Sequence, residues 1–190
     1  MSCTLGFDPG SISAGAAVVD WPARGGAGPR LLYSMRLHVT TSWGLERRLA
    51  ALHVQMQGAA LAGLQHGATR LALEEPPPVW RTASGRERNQ NAAHVLGLCN
   101  GLMLGAWLAA GGPPEVLLVP VSLWRRALAH LGPAGSWGSG PAAKRASVAA
   151  ARTLLGAEFQ ADVAEAALLA AACGTLWPER RAVDKVTRDG

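Results

Sequence analysis

Three apolar, β-compatible runs open the chain, Cys3–Phe7, Ala14–Trp21 and Leu31–Val39, and only the turn-length pieces DPGSIS and PARGGAGPR separate them. Parallel neighbours need a crossover of a dozen or more residues, so these three strands are expected to pair antiparallel as a meander. Leu45, Leu49, Leu52 and Met56 then recur at helical spacing. That helix carries the chain across to a fourth run, Leu71–Leu73, which is expected to lie parallel to its neighbour. Ala92–Ala110 reads as a second helix, Val116–Val121 as a fifth strand, and Lys144–Leu155 and Asp162–Leu176 as two further helices. The order βββαβαβαα predicts an α/β fold, a mixed five-stranded sheet with helices on both faces and right-handed crossovers. Residues 76–89 (PPPVWRTASGRERN) read as a long exposed loop, and residues 132–141 (GPAGSWGSGP) as irregular chain.

A length of 190 residues with 49% hydrophobic composition suits a single core, which predicts one domain over residues 1–177 and a short tail over 178–190. No uninterrupted apolar run approaches the roughly 20 residues of a membrane span, and MSCTLGFD lacks the layout of a signal peptide, so a soluble, cytoplasmic protein is expected. Cys3, Cys99 and Cys173 are odd in number and sit among apolar neighbours, as buried reduced thiols do. The net charge of +5 comes almost wholly from arginine, Lys144 and Lys185 being the only lysines. A polyanionic partner is compatible with that balance.

Asp8 ends the first strand between Leu5, Phe7 and Pro9, where a carboxylate must find a cation, a donor or water. Glu74 and Glu75 end the fourth strand, and Asp162 and Glu165, three apart, share one face at the start of the last helix. If strands one and four are neighbours, their carboxyl ends bring Asp8 and Glu74 within one metal's reach. Each acid has a plain alternative: Asp8 a turn, Glu74 and Glu75 a solvated strand end, Asp162 and Glu165 a capping box with Asp162 as N-cap. Taken together, in a chain with only 13 acidic residues, two strand ends and a helix start carrying acid are what a magnesium site requires. The metal would be the cation that keeps Asp8 ionised.

These residues also resemble a known family, the RuvC Holliday-junction resolvases of the ribonuclease H-like superfamily. LGFDPGSISAG is similar to the family's first-strand signature and LALEEP to its second acidic strand end. LGLCNG resembles its Leu-Gly helix motif, AAKRASVAAARTLLG its lysine-bearing segment, and DVAEAALLAAACG the place where Asp-Ala-Ala-Asp-Ala is usual. The resemblance implies a RuvC-like nuclease domain with Asp8, Glu74, Asp162 and Glu165 holding two Mg2+ ions, Mn2+ substituting, and Lys144 at the scissile phosphate. It implies a crossover junction endodeoxyribonuclease of DNA recombination and repair, nicking four-way junctions symmetrically to leave 5′-phosphate and 3′-hydroxyl ends. A homodimer follows from the two equivalent strands of a junction, and branch-migration proteins become candidate partners. Phosphate contacts are expected from Arg81, Arg86, Arg88, Arg126 and Lys144.

Two departures stand out. Glu165 replaces the usual second Asp, and Pro76–Pro78 stands where the family has a Gln and an aromatic, work that Trp80 would then take over. The apolar stripe Leu96, Cys99, Met103 and Trp107 on the second helix is either the dimer face or core. The rival functions are an ATP-binding actin-like protein, suggested by the Asp-Pro-Gly-Ser loop but short of a second domain, a catalytically silent DNA-binding module, and a related nuclease acting on other branched or flapped DNA.

Overall fold

The computed structural model describes residues 2–21, 28–81, 87–88, 90–131, 137 and 140–188. Strands β1 (Ser2–Asp8), β2 (Ser13–Trp21) and β3 (Arg30–His38) form the antiparallel meander; α1 (Leu45–Gln65) crosses to β4 (Arg70–Glu74), and α2 (Gln90–Ala109) leads to β7 (Val116–Val119). Between β4 and α2 a two-residue hairpin pairs β5 (Trp80–Arg81) with β6 (Glu87–Arg88). The chain ends in α3 (Val121–Ala127), α4 (Gly140–Leu155) and α5 (Ala161–Arg188). The main sheet runs β3-β2-β1-β4-β7, with β1 antiparallel to β2 and parallel to β4, and β4 parallel to β7. The expected mixed five-stranded sheet, with strands one and four side by side, is therefore the one observed.

Period-two alternation in β2 sorts its side chains between two cores. Ala14, Ala16 and Val18 pack with Leu5, Phe7, Leu52, Met56, Met103 and Trp107 under α1 and α2, whereas Ala17 and Val19 meet the alanines of α5 on the other face. α5 sits unusually close to the sheet because two strand positions are glycine. A Cβ on Gly6 would lie 2.2 Å from the Ala166 carbonyl oxygen, and one on Gly15 would lie 2.0 Å from that of Asp162. The first turns of α5 are thereby held against β1 and β2.

Four details differ from the sequence expectation. The fifth strand stops at Val119, because Pro120 ends the ladder and serves as N-cap of α3, a helix of seven residues too short to show a period. The segment expected to be a loop at 76–89 contains the β5–β6 hairpin. Cys99, Met103 and Trp107 are fully buried against the sheet, and Leu96 is half-buried, so the α2 stripe is core rather than a dimer face. α2 is long enough to cross a membrane and holds an 18-residue window apolar enough to do so, with mean hydropathy 1.4; its glycines, His94 and Asn100 had hidden this from a search for unbroken runs. All three cysteines are buried and none is in a disulfide, as read from the sequence.

Candidate active site

The carboxyl ends of β1 and β4 and the N-terminal turns of α5 meet at one edge of the sheet. Oxygens of Asp8, Asp162 and Glu165 lie within 4.8 Å of one another. Glu74 ends the strand next to β1 and is turned toward α3, where its Oε2 accepts a hydrogen bond from the Trp124 indole at 3.2 Å. Three of the four acids predicted from the sequence are thus gathered, Glu74 stands on the adjacent strand, and Glu75, which is exposed, is left outside.

Asp162 and Glu165 each have their own support. Asp162 accepts hydrogen bonds from Lys144 Nζ on Oδ1 at 2.7 Å and from Ser13 Oγ on Oδ2 at 2.5 Å, with Arg36 Nε 3.9 Å from Oδ2. Glu165, only 8% exposed, has Ser147 Oγ at 3.2 Å and Arg125 Nη2 at 3.4 Å from its Oε1. The capping-box alternative fails here. α5 begins at Ala161, the Gln160 carbonyl accepts the first helical N–H, from Ala164, and Glu165 points inward to Ser147 and Arg125 rather than back to the helix start.

The electrostatics separate the acids. Burial pushes Asp8 well above the usual carboxylate range, and Glu74, Glu165 and Asp162 push it further. Burial also raises Glu74 to about 7, partly opposed by the Trp124 hydrogen bond and reinforced by Glu165. Asp162 is pushed up by burial, but hydrogen bonds from Lys144 and Ser13 and the charges of Lys144 and Arg36 hold it below its ordinary value. Lys144, pulled down by burial, is held above its ordinary value by Asp162, Glu165 and Asp8. Asp8 has no direct cation among the described groups: Lys144 and Arg36 are placed on Asp162, and Arg125 on Glu165. Clustered carboxylate oxygens, one of them buried and short of positive charge, fit a hard divalent cation.

α3 was missed by the sequence reading, and it supplies two of these supports. Arg125 stacks on Trp124 at 5.1 Å from ring centroid to guanidinium carbon, and Trp137, edge-on to Trp124, donates its indole N–H to the Arg125 carbonyl. The only sequence signal was Trp124 and Leu128, both buried, at spacing i, i+4 after Pro120. Beyond Glu74, Pro76–Pro78 join Glu75, Pro120, Val121 and Ser122 around an open cleft of about 460 Å³. Arg126 is exposed on α3. Arg86 and the side chains of Trp80, Arg81 and Arg88 lie outside the described residues.

A mixed sheet of this order, with acids at the ends of its two central parallel strands and at the start of a helix lying across them, defines the ribonuclease H-like fold. Within that class the chain has the fold of RuvC. It matches Thermus thermophilus RuvC at TM-score 0.66 and 21% identity, and T. thermophilus RuvC in complex with a Holliday junction substrate at 0.65 and 20%, each over 93% of this chain and 96% of that one. The yeast mitochondrial Holliday junction resolvase Ydc2 matches at TM-score 0.53 and 11% identity, over 90% of this chain and 78% of that one. No family model matches the chain, and no curated protein does.

Proposed function

We propose that this protein is a divalent-metal-dependent endonuclease that nicks four-way DNA junctions, leaving 5′-phosphate and 3′-hydroxyl ends. One observation carries the reading: Asp8, Asp162 and Glu165 bring oxygens within 4.8 Å of one another, beside Lys144 and one strand from Glu74, in a fold shared with a protein solved on a Holliday junction substrate. Asp8, Glu74, Asp162 and Glu165 would hold two Mg2+ ions, with Mn2+ able to substitute, as the all-oxygen donor set favours. When bound, such a pair supplies a nucleophilic water at neutral pH and stabilises charge on the attacking and leaving oxygens. Lys144, on α4 at the rim of the cluster and half-exposed, carries the ammonium that faces the scissile phosphate. The exposed Arg126 offers a phosphate contact on the same edge.

Paired nicks need two sites, and the reading includes a homodimer. The outer face of α2 supports that part: Gly97, Leu98, Gly101, Gly105 and Leu108 are exposed, and Gly97, Leu98 and Gly101 line a groove of about 400 Å³ against Leu49, Ala50 and His53 of α1. The dimer face moves from the buried stripe to the opposite side of the same helix.

The experiment is cleavage of matched junction, flap, fork and duplex substrates with and without Mg2+. Junction cleavage that requires the metal supports the reading. Equal or better cleavage of flap or fork would reassign the substrate, and binding without cleavage at any metal concentration would leave a DNA-binding module.

A further inference from the structure

We infer that Ser13 and Arg36 are positioning residues that fix the orientation of the Asp162 carboxylate as a ligand, an inference that rests on the divalent-metal reading above. The argument begins with hydrogen-bond direction. An arginine Nε can only donate, so at 2.9 Å from Arg36 Nε the Ser13 oxygen is the acceptor. A hydroxyl has one proton, and with its oxygen facing Arg36 that proton goes to Asp162 Oδ2, 2.5 Å away. The chain Arg36 to Ser13 to Asp162 therefore has a single possible polarity. With Lys144 donating to Oδ1 at 2.7 Å, each oxygen accepts one hydrogen bond and keeps a lone pair for a further ligand, so the two contacts together set the plane of the carboxylate.

The backbone explains why these residues meet. Ser13 opens β2, and Arg36 sits on β3 directly opposite Gly15. Cross-strand partners and residues two apart share a face of the sheet, so Ser13, Gly15 and Arg36 all face α5. Gly15 has no side chain, and the Asp162 backbone settles over it. The first turn of α5 is thus held from below by close contact while Ser13 and Arg36 hold the Asp162 side chain from the flank. Arg36 also adds a second positive charge 3.9 Å from Oδ2, which lets Asp162 stay anionic among three other acids. Neither residue reaches Asp8 or Glu74 in this arrangement, so their effect is confined to one ligand.

The test uses DNA-free protein and reads metal binding rather than cleavage. The Mg2+-induced rise in unfolding temperature is titrated for the wild type, Ser13→Ala, Ser13→Thr and Arg36→Gln. Ser13→Ala is expected to raise the half-saturating Mg2+ concentration about tenfold, the lower end of the roughly 10–100-fold seen when groups that orient metal ligands are removed. Ser13→Thr, which keeps the hydroxyl, should stay within twofold of wild type. Arg36→Gln should shift the titration in the same direction as Ser13→Ala, and the double variant should shift it by less than the two single effects combined, since the residues share one hydrogen-bonded chain. A wild-type Mg2+ response that Ser13→Ala leaves unchanged, or a threonine variant as impaired as alanine, overturns the positioning role and leaves the nuclease reading standing. No Mg2+ response in the wild type overturns both.

Discussion

The substitution Gly15→Ala adds one methyl group at the point where α5 rests on the sheet. The new Cβ would lie 2.0 Å from the Asp162 carbonyl oxygen, 2.4 Å from its carbonyl carbon and 2.8 Å from the Val163 nitrogen. Real Cβ contacts essentially never fall below 3.0 Å, so backbone must yield by about 1 Å, and no flexible side chain is present to absorb it. Since β2 is paired on both sides, the start of α5 is the part that moves. Overpacking of this kind costs about 1–3 kcal/mol, which for a chain of this size lowers the melting temperature by about 2–12 °C. The larger effect falls on the site, because Asp162 is the residue displaced and Glu165 lies one turn further along. A displacement of about 1 Å at catalytic groups is worth about a hundredfold in rate. Single-turnover cleavage of a junction at saturating enzyme and Mg2+, read beside thermal unfolding, gives both numbers. Gly58→Ala, on an exposed position of α1 with nothing within 4 Å, should instead hold or raise the melting temperature and leave cleavage unchanged. Gly15→Ala protein that melts as wild type and cleaves within threefold of it would refute the close-packing argument.

Asp8→Asn should leave junction binding near wild type and lower metal-dependent cleavage at least about a hundredfold, since a shared ligand charge is lost while phosphate contacts remain; cleavage within tenfold would remove Asp8 from the site. Lys144→Arg keeps the charge but replaces a compact ammonium, 2.7 Å from Asp162, by a planar fork. Single-turnover cleavage is expected to fall about tenfold or more with binding within about threefold, and equal rates would make the residue a phosphate clamp only. Glu74 has its carboxyl raised from 4.5 to about 7 in the fold, so between those values the folded protein holds more protons than the unfolded chain. Metal-free stability should therefore decline as pH rises from about 5 to 7, and saturating Mg2+, which needs the ionised form, should bind more tightly as pH rises through the same window. Melting curves with and without Mg2+ across that range check both signs, and a metal-free melting temperature that climbs with pH would contradict the burial of Glu74.

The elements that place Asp8 and Glu74 were legible because they follow from chain length between strands. Turn-length connections force the meander, a helix-length connection forces a parallel neighbour, and β1 and β4 end at acids, Asp8 directly before Pro9 and Glu74 two residues before Pro76. Asp162 and Glu165 were legible as a pair through helical spacing, but spacing alone could not separate ligand from cap; the start of α5 at Ala161 and the Ser147 and Arg125 contacts exclude the cap. Period 3.6 marked the correct apolar stripe on α2 and could not say whether a sheet or a second chain covers it. What stayed hidden was held by long-range partners: Ser13 meets Asp162 across 149 positions and Trp124 meets Glu74 across 50. No local pattern encodes such a meeting, and α3 itself is shorter than two helical repeats.

The acids enter the chain far apart, Asp8 near its beginning, Glu74 before its middle and Asp162 and Glu165 in its last helix. Synthesis of the protein therefore delivers the strands of the main sheet before the last two acids. A nascent chain that still lacks α5 carries two of the four acids and neither the carboxylates that complete the cluster nor the partner to which Lys144 is tied. The same holds for a chain cut short of residue 162 by a premature stop or a protease. On the proposed reading the donor set for a metal is complete only when the final helix settles onto Gly6 and Gly15, so copies that lack that helix would lack two of its four carboxylates.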